Sequence, residues 1–438
     1  MRYIAFDIGS SYTKLAVLDS EQNTAETIDY RPTLPRLEAP RGHYALDASL
    51  LLRDVETMLD HAIDECPDFG GVFFSTQMHG FILTRGGEPI TPYVTWQDAR
   101  ADVPDEGDVT DTSRLYDMLG HEETLRMGTR FKAGIAACSL FSLLRHESLD
   151  LTGARFETLG SFLISHLSDE HRHACHLTDA ASTGFAVAAD GTWNERVIDV
   201  VGVRELAFPD IVRETEPLGM HRGVPLFAAI GDHQASVYGS GEGIEHAVSL
   251  TIGTATIICA VAPGYVKADM EVRPYFENQC LMTITRQPGG RVLDVVIELL
   301  RDSVRLITGK EPETQDIWSA LLSNLREDTQ SLHVKPDFYI GMGEGAVESI
   351  SGTNLTAANL FCAALDSLAE AYAGPIARLR GHNDAIDRLI LCGGRLSKLP
   401  ALHERLERTA HLPVCTAPHR DAALYGLMRI ARRIEAEE

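Results

Sequence analysis

The chain has 438 residues, of which 44% are hydrophobic and 23% charged, and it carries a formal net charge of −24. This composition is ordinary for a globular protein, and the length favours two or three domains. The acidic balance argues against nucleic acid as the main partner, and the lack of any run of about 18 apolar residues argues against a membrane span.

Cysteine usage and the N-terminus both favour the cytoplasm. The eight cysteines are scattered and none forms a CxxC pair, which disfavours a zinc site or a disulfide framework and fits a reducing compartment. The start, MRYIAFDIGSS, lacks the basic and apolar regions of a secretory signal. We therefore expect a cytoplasmic protein that folds from its first residues.

The first half of the chain opens with two short strands, 3–9 and 12–19, which a Gly-Ser-Ser turn joins. Apolar periodicity then predicts a helix, a short buried strand, a helical middle region and another buried strand, at 47–62, 71–75, 110–168 and 225–230.

A second strand–turn–strand pattern begins shortly after residue 240. It is followed by a long helix, a strand and a helix, so that the predicted elements are 247–253, 254–261, 355–379, 387–392 and a helix from 399 onward. This restart predicts an α/β fold with two lobes of related build, 1–240 and 241–438, each a mixed sheet flanked by helices.

The first turn, Gly9-Ser10-Ser11, presents backbone N–H groups and hydroxyls that suit a phosphate. Asp7 ends the first strand, where it would hold Mg²⁺ through water. The alternative is a plain β-hairpin turn with an aspartate beside it. Gly253-Thr254 repeats the pattern, so two such hairpins would clamp the β- and γ-phosphates of a nucleotide. The P-loop pattern GxxxxGK[ST] is absent from the sequence.

Two glycine pairs lie farther along the chain. Gly393-Gly394 follows an apolar strand and precedes a helix, and glycines there would let a flat ligand such as adenine approach the backbone. A strand-to-helix turn without a ligand explains the same pattern. Gly289-Gly290, taken alone, predicts only a turn.

Polar residues gather beside two apolar runs of the first half. FSTQMHGFIL contains Gln77 and His79, and VTWQDARAD contains Trp96 and Asp98. Amides and carboxylates bond to hydroxyls, and an indole stacks on the C–H face of a sugar, so the set suits a polyhydroxylated ligand. The structural alternatives are a buried imidazole, a core indole and a local ion pair between Asp98 and Arg100.

Asp232 and His233 stand side by side in the small-residue stretch AAIGDHQASVYGSG. An aspartate before a helical pattern is a good N-cap, and that is the structural alternative for Asp232. A helix N-terminus also keeps a carboxylate ionised, so capping is compatible with a role as a base. His233 either contacts a ligand or packs.

Segments along the whole chain resemble the FGGY family of carbohydrate kinases, within the actin-like ATPase superfamily. Their order and spacing agree with the family. The segments are FDIGSSYTKLAVLD, STQMHGFIL, PYVTWQDAR, LTDAASTGF, DGTWNERVIDVVGV, IGDHQASVYGS, SLTIGTATI, GMGEGAVESISGTNLTAANLFCAALDSLAEAY and LILCGGRLSKLPALHERL. Within the family, QMHG resembles xylulokinases, while WQDAR and GDHQASVY are most similar to sedoheptulokinases.

The resemblance implies two actin-like (ribonuclease H-like) lobes with ATP and sugar in the cleft between them, and Mg²⁺-assisted phosphoryl transfer to a sugar hydroxyl. The family's catalytic aspartate falls on Asp232. Together with the residues singled out above, the expected sugar contacts are Gln77, Met78, His79, Trp96, Asp98, Asp232 and His233. The expected nucleotide contacts are Gly9, Ser10, Ser11, Thr13, Lys14, Gly253, Thr254, Gly289, Gly290, Gly393 and Gly394, with Asp7 near the metal.

Two departures from the family concern the sugar. The family usually carries a lysine and a tryptophan near the segment that matches ACSLFSLLRHES, and this chain has Ser139 and Ser142 there instead. The triplet that reads GDN in xylulokinases reads GDH here. We expect a heptulose or pentulose, sedoheptulose or xylulose, as the acceptor. The alternatives are a kinase of another polyol such as glycerol, a catalytically silent sugar-binding or regulatory protein, and a chaperone-type ATPase. A homodimer is compatible with the sequence, which does not determine the oligomeric state.

Overall fold

The computed structural model describes residues 1–66, 68–105, 107–213, 217–325, 331–338 and 344–437. The letters GMG of the segment GMGEG, residues 341–343, lie outside this part of the chain. No helix within the described ranges is long and apolar enough to cross a membrane.

The described strands, in chain order, are β1 (Arg2–Ile8), β2 (Tyr12–Asp19), β3 (Thr24–Pro32), β4 (Ala45–Leu46), β5 (Val72–Thr76), β6 (Ile82–Arg85), β7 (Glu88–Pro89), β8 (Tyr93–Val94), β9 (Arg155–Glu157), β10 (Ala174–His176), β11 (Ala186–Val187), β12 (Thr192–Trp193), β13 (Asp210–Val212), β14 (Pro217–His221), β15 (Val224–Phe227), β16 (Ile230–Gly231), β17 (Ala247–Ile252), β18 (Ala255–Ala262), β19 (Glu271–Pro274), β20 (Cys280–Pro288), β21 (His333–Lys335), β22 (Ala346–Glu348), β23 (Arg388–Gly393) and β24 (Val414–Thr416). The described α-helices are α1 (Ala48–Glu65), α2 (Asp111–Leu119), α3 (His121–Met127), α4 (Ala136–His146), α5 (Leu159–Leu167), α6 (Leu177–Ser182), α7 (Glu195–Val201), α8 (Asp232–Tyr238), α9 (Arg291–Thr308), α10 (Thr314–Leu322), α11 (Ala357–Arg380), α12 (Pro400–Ala410) and α13 (Ala422–Glu437).

These elements form two compact units. The first unit consists of Met1–Glu242, Pro263–Leu281 and Asp421–Glu438, and the second of Gly243–Ala262 and Met282–Arg420. The first division lies close to the predicted boundary at 240. The structure differs from the predicted domains 1–240 and 241–438 because two later segments return to the first unit.

The C-terminal helix α13 returns because its apolar face packs within the first unit, where Leu427 is fully buried. It approaches α8 so closely that glycine is required in α13 and at the C-cap of α8. A Cβ on Gly426 would lie 2.0 Å from the carbonyl oxygen of Ala235, and a Cβ on Gly239 would lie 1.9 Å from that of Ala422. Periodicity predicts that such a helix has an apolar face but does not identify its partner.

The other returning segment, 263–281, carries β19. Its backbone bonds to the first unit, because the Val272 N–H donates to the carbonyl oxygen of Gly128 at 2.8 Å. The Lys132 ammonium also donates to the carboxylate of Glu271 at 3.0 Å. The chain order therefore places this segment after the second hairpin, while its contacts place it beside the first-unit site described below.

The main sheet of the first unit has the strand order β14-β15-β5-β1-β2-β3, and β16 also pairs with β5. β1 is antiparallel to β2 and parallel to β5, and this register sets Asp7 opposite Lys14 on one side and Ser75 on the other. β16 sets Gly231 opposite Thr76. The carboxyl ends of three strands thus meet at one sheet edge, where Asp232 follows.

The second unit repeats this arrangement. Its strands follow the order β20-β18-β17-β23-β24. β17 is antiparallel to β18 and parallel to β23, with Ile252 opposite Gly393. Each unit therefore contains a hairpin whose first strand pairs in parallel with a later strand, which confirms the predicted α/β fold with two related mixed sheets.

Candidate active site

Asp7 lies at the end of β1 among polar partners. The Ser75 hydroxyl donates to its Oδ1 at 3.1 Å, and the Lys14 ammonium lies 3.6 Å from its Oδ2. Lys14 also donates to Asp421 at 2.6 Å, a residue just before α13 that the sequence analysis did not single out. Burial raises the pKa of Asp7 even though Lys14 and Ser75 act to lower it. A buried carboxylate with a raised pKa gains from a nearby cation.

The predicted phosphate turn, Gly9-Ser10-Ser11, lies beside Asp7. Its two serines are exposed, whereas Thr13 is buried in β2. The Gly9 carbonyl oxygen accepts from the Thr33 hydroxyl and from the Gln77 amide, both at 3.0 Å. Gln77 was predicted to contact sugar, but it is only 4% exposed and its amide holds this turn in place.

Asp232 is the first residue of α8, and the N-cap is Gly231, one residue earlier than the capping hypothesis placed it. Its Oδ1 accepts from the His233 N–H at 2.7 Å, while part of the side chain remains open to solvent. Burial, followed by the Asp7 carboxylate, raises its pKa to about 6. The carboxylate is therefore a stronger base than an ordinary aspartate and still ionised at neutral pH.

Two of the predicted sugar contacts in the first unit are histidines. His79 has a positive φ of 74°, and its N–H donates to the Ser182 hydroxyl at 3.0 Å while its Nδ1 lies 2.8 Å from the Ser182 carbonyl oxygen. His233 Nδ1 lies 3.0 Å from an Arg273 guanidinium nitrogen. Burial and the Arg273 charge lower the pKa of both imidazoles to about 3, so both are neutral in the physiological range.

A buried charge network that was not predicted from the sequence lies next to these histidines. Arg273 donates to Glu271 at 2.5 Å, and Glu271 also accepts from Lys132 at 3.0 Å. Although burial alone would raise it, Arg273 and Lys132 hold the pKa of Glu271 well below its usual range. The signal in the sequence is the pair Glu271-x-Arg273, because residues two apart on a strand share one face.

Met78 is 4% exposed and lines a small recess together with His79 and Arg273. A larger cavity of about 360 Å³ shares Thr129 with this recess. Trp96 is 45% exposed, so the structural alternative of a core indole does not describe it, and its face is open for the stacking that the sugar hypothesis requires.

Asp98 is fully buried in a salt bridge. It accepts two hydrogen bonds from the Arg100 side chain, at 2.8 and 3.0 Å, and one from the Tyr44 N–H at 2.7 Å. The structure thus shows the local ion pair that the sequence analysis gave as the alternative to a sugar contact. Asp98 is therefore not among the sugar contacts that we propose.

A second carboxyl group, Asp179, is buried near Asp232. Its Oδ2 accepts from the Thr158 hydroxyl at 3.2 Å and from the Thr76 hydroxyl at 3.5 Å. Burial, with a further contribution from the Asp232 charge, raises the pKa of Asp179 to about 8. Two carboxyl groups with such different surroundings take different protonation states at neutral pH.

The second unit brings its predicted glycine turns together. The Gly290 N–H donates to the Gly253 carbonyl oxygen at 2.8 Å, and the Arg291 N–H donates to that of Thr254 at 3.3 Å. Gly290 is the N-cap of the 18-residue helix α9. Gly289-Gly290 is therefore a strand-to-helix junction packed on the hairpin turn, and a helix N-terminus of this kind suits an anion.

Gly393 ends β23 and pairs with Ile252, the residue just before the Gly253-Thr254 turn. It has a φ of +107°, and a Cβ would lie 2.5 Å from the Ile252 carbonyl oxygen. Gly394 is exposed, and a Cβ there would meet no atom within 4 Å. The backbone of this junction is therefore open on one side, as the adenine hypothesis requires.

The chain is similar in sequence to known proteins. Residues 2–239 match the FGGY family of carbohydrate kinases, N-terminal domain. The mouse (Mus musculus) sedoheptulokinase is 22% identical over 98% of this chain and 97% of its own length, and a glycerol kinase of Cereibacter sphaeroides is 26% identical over 74% and 68%.

Solved structures share the fold at low identity. The xylulose kinase from Rhodospirillum rubrum superposes with a TM-score of 0.85 at 16% identity, covering 99% of this chain and 89% of that one. The Plasmodium falciparum glycerol kinase with ADP gives 0.82 at 13% identity, covering 100% and 90%. With its N-terminal match spanning more than half of the sequence, the chain belongs to the FGGY family of carbohydrate kinases, phosphotransferases that use ATP and an alcohol acceptor.

Proposed function

We propose that this carbohydrate kinase transfers the γ-phosphate of ATP to a hydroxyl of a ketose, a heptulose such as sedoheptulose or a pentulose such as xylulose. The observation that carries the proposal is the match to a sedoheptulokinase over nearly the full length of both chains. The cavity of about 360 Å³ that adjoins the Met78 recess supports it, because a longer carbon chain needs such room.

Asp232 is the proposed base. Phosphoryl transfer through a loose transition state depends on alignment and charge stabilisation more than on covalent chemistry. As the sugar oxygen bonds to the γ-phosphorus and the bond to ADP breaks, the hydroxyl proton passes to the Asp232 carboxylate. A pKa of about 6 keeps the carboxylate ionised at pH 7 and makes it more basic than an ordinary aspartate.

The sugar contacts that we propose are Met78, His79, Trp96 and His233, together with Asp232. The imidazoles offer hydrogen bonds to hydroxyls, and the exposed Trp96 offers a face for the C–H side of the sugar. In the second unit, the turns at Gly253, Gly289 and Gly393 are proposed to hold ATP through backbone N–H groups.

The residues around Asp7 fit a magnesium ion. Mg²⁺ in kinases keeps several waters and uses one or two carboxylates plus phosphate oxygens, and Asp7 is a carboxylate whose raised pKa a cation would lower. When bound, Mg²⁺ neutralises charge on the β- and γ-phosphates. Ser75 and Lys14 orient the Asp7 carboxylate for this role.

The test is ADP release in the presence of sedoheptulose, xylulose, ribulose, gluconate or glycerol, and without any acceptor. We expect kcat/KM for a heptulose or pentulose to exceed that for glycerol by at least about a hundredfold, because a pocket built for hydroxyls discriminates strongly against acceptors that lack them. A preference for glycerol would overturn the ketose assignment, and equal turnover without acceptor would overturn the sugar site itself.

A further inference from the structure

Arg273 joins the buried charge network to one of the two proposed sugar-binding histidines. One guanidinium nitrogen donates to Glu271 at 2.5 Å, and the other donates to His233 Nδ1 at 3.0 Å. The side chains of Arg273 and Glu271 are only 10% and 3% exposed. Lys132 holds Glu271 from the other side at 3.0 Å. The guanidinium therefore has a fixed position against the imidazole.

This contact determines where the His233 proton resides. A guanidinium has only donors and stays protonated, so Nδ1 must be the acceptor. In the neutral ring the proton is then on Nε2. That Nε2 is buried and has no hydrogen-bond partner among the described residues. A buried donor without a partner is unfavourable in a folded protein and often marks a ligand site.

His79 has the opposite tautomer. The Ser182 carbonyl oxygen, 2.8 Å from Nδ1, can only accept, so Nδ1 carries the proton and Nε2 is an acceptor. His79 lines a recess together with Arg273, the residue that contacts His233. One imidazole thus offers an N–H donor and the other offers a lone pair.

We propose that Arg273 is a positioning residue that holds His233 in its Nε2–H tautomer, so that His233 donates to a sugar oxygen while His79 accepts from a sugar hydroxyl. This inference rests on the proposed sugar site and deepens it. A hydroxyl or carbonyl oxygen of the sugar accepts from His233, and a hydroxyl hydrogen bonds to His79. Glu271 and Lys132 support Arg273 and touch no substrate in this arrangement.

The first test needs no substrate. Nitrogen-15 NMR of histidine-labelled protein reports which imidazole nitrogen carries the proton, and the His233→Asn variant assigns the signal. The wild type should show His233 protonated at Nε2 only, and Arg273→Met should show a mixture of tautomers. An unchanged Nε2–H signal in Arg273→Met would overturn the proposal even if no sugar has been identified.

The second test is a double-mutant cycle with the best sugar of the acceptor panel. Arg273→Met should raise KM for the sugar about tenfold, with KM for ATP changed less than about twofold. In the His233→Asn background the same change should have little effect, because an amide N–H₂ donates without any tautomer to fix. An equal loss in both backgrounds would mean that Arg273 acts without His233 and would refute the proposal.

Two controls complete the experiment. Arg204→Met makes the same chemical change at an arginine whose side chain is 67% exposed in the first unit, and it should leave all constants unchanged. If thermal unfolding shows that Arg273→Met is not folded, Arg273→Lys replaces it in the same cycle, because lysine keeps the charge opposite Glu271 but lacks the two-pronged donor geometry. If no sugar in the panel is phosphorylated, the proposed function fails while the tautomer measurement still stands by itself.

Discussion

Replacing Asp232 with asparagine removes the proposed base while keeping the side-chain volume and an oxygen that can accept the 2.7 Å bond from the His233 N–H. General-base assistance is typically worth about 10²–10⁴-fold. We therefore expect Asp232→Asn to lower kcat by about that factor, with the thermal stability and the binding of ATP close to those of the wild type.

The pH dependence of the rate gives a more precise prediction for Asp232. Burial and the Asp7 carboxylate raise the pKa of Asp232 from 3.8 to about 6. A base with that pKa is about 90% ionised at pH 7 and about 10% ionised at pH 5, so the rate through this base should fall about tenfold. A base with the ordinary pKa of 3.8 would lose less than about 10% over the same range.

The assay is ADP release between pH 5 and pH 8 at sugar concentrations well below KM, where the rate reports the ionisation of the enzyme before the sugar binds. The phosphates of ATP titrate in the same range, so the ratio of wild-type to Asp232→Asn turnover is taken at each pH to cancel their effect. His79 and His233, with pKa values of about 3, do not titrate there. Asp117→Asn, at an exposed position on α2, is the matched control. A ratio near one, or a ratio that is the same at pH 5 and pH 7, would refute the reasoning.

Three further predictions concern Asp98, Asp179 and Gly393. Asp98→Ala leaves the Arg100 charge buried and unpaired, so urea unfolding should show that the free energy of unfolding falls by about 3–5 kcal/mol. KM for the sugar, measured on the folded variant, should not change. A large increase in that KM would restore Asp98 as a sugar contact. Asp179 keeps its proton up to about pH 8 in the folded state but loses it near pH 3.8 in the unfolded state. Its contribution to the free energy of unfolding is therefore fully present below pH 3.8 and decreases as the pH rises from 3.8 to about 8. The free energy of unfolding of the wild type relative to Asp179→Asn should therefore fall by about 3 kcal/mol from pH 5 to pH 7, and an equal pH slope in the two proteins would contradict the buried neutral carboxyl. Gly393→Ala places a Cβ 2.5 Å from the Ile252 carbonyl oxygen at a φ of +107°, so we expect a loss of about 1–3 kcal/mol and a higher KM for ATP with KM for sugar unchanged; an unaltered KM for ATP would argue against nucleotide binding at this junction.

Much of the fold could be predicted from local pattern. The second strand was predicted at 12–19 and is found at Tyr12–Asp19, and the long helix predicted at 355–379 is found at Ala357–Arg380. These elements can be predicted because their apolar residues recur with the period of a strand or a helix. The strand Thr24–Pro32 was not predicted, because most of its residues are exposed. It is the edge strand of the first sheet and, among the described strands, pairs only with β2.

The candidate site likewise contains some residues that the sequence could predict and others that it could not. Asp7 lies near the end of a strand, and Gly9 and Asp232 directly follow strands, so all three could be found as polar or glycine residues at strand ends. Arg273 and Glu271 could not, because they lie on a segment that follows the second hairpin in sequence, and its place in the first unit depends on tertiary contacts such as those with Gly128 and Lys132. Gln77 and Asp98 stand in polar motifs, but only their hydrogen-bond partners show that one holds a turn and the other an arginine.

The sequence by itself determined the α/β class, the repeated hairpin and the residue types that suit phosphate and sugar, because hydrophobic period, glycine turns and motif order are local properties. The tertiary structure alone decided which unit the segments 263–281 and 421–438 join, the raised pKa of Asp232 and the tautomers of His79 and His233. Those properties depend on burial and on charges and acceptors brought from distant parts of the chain, and a pKa or a proton position is set by these neighbours rather than by the residue type.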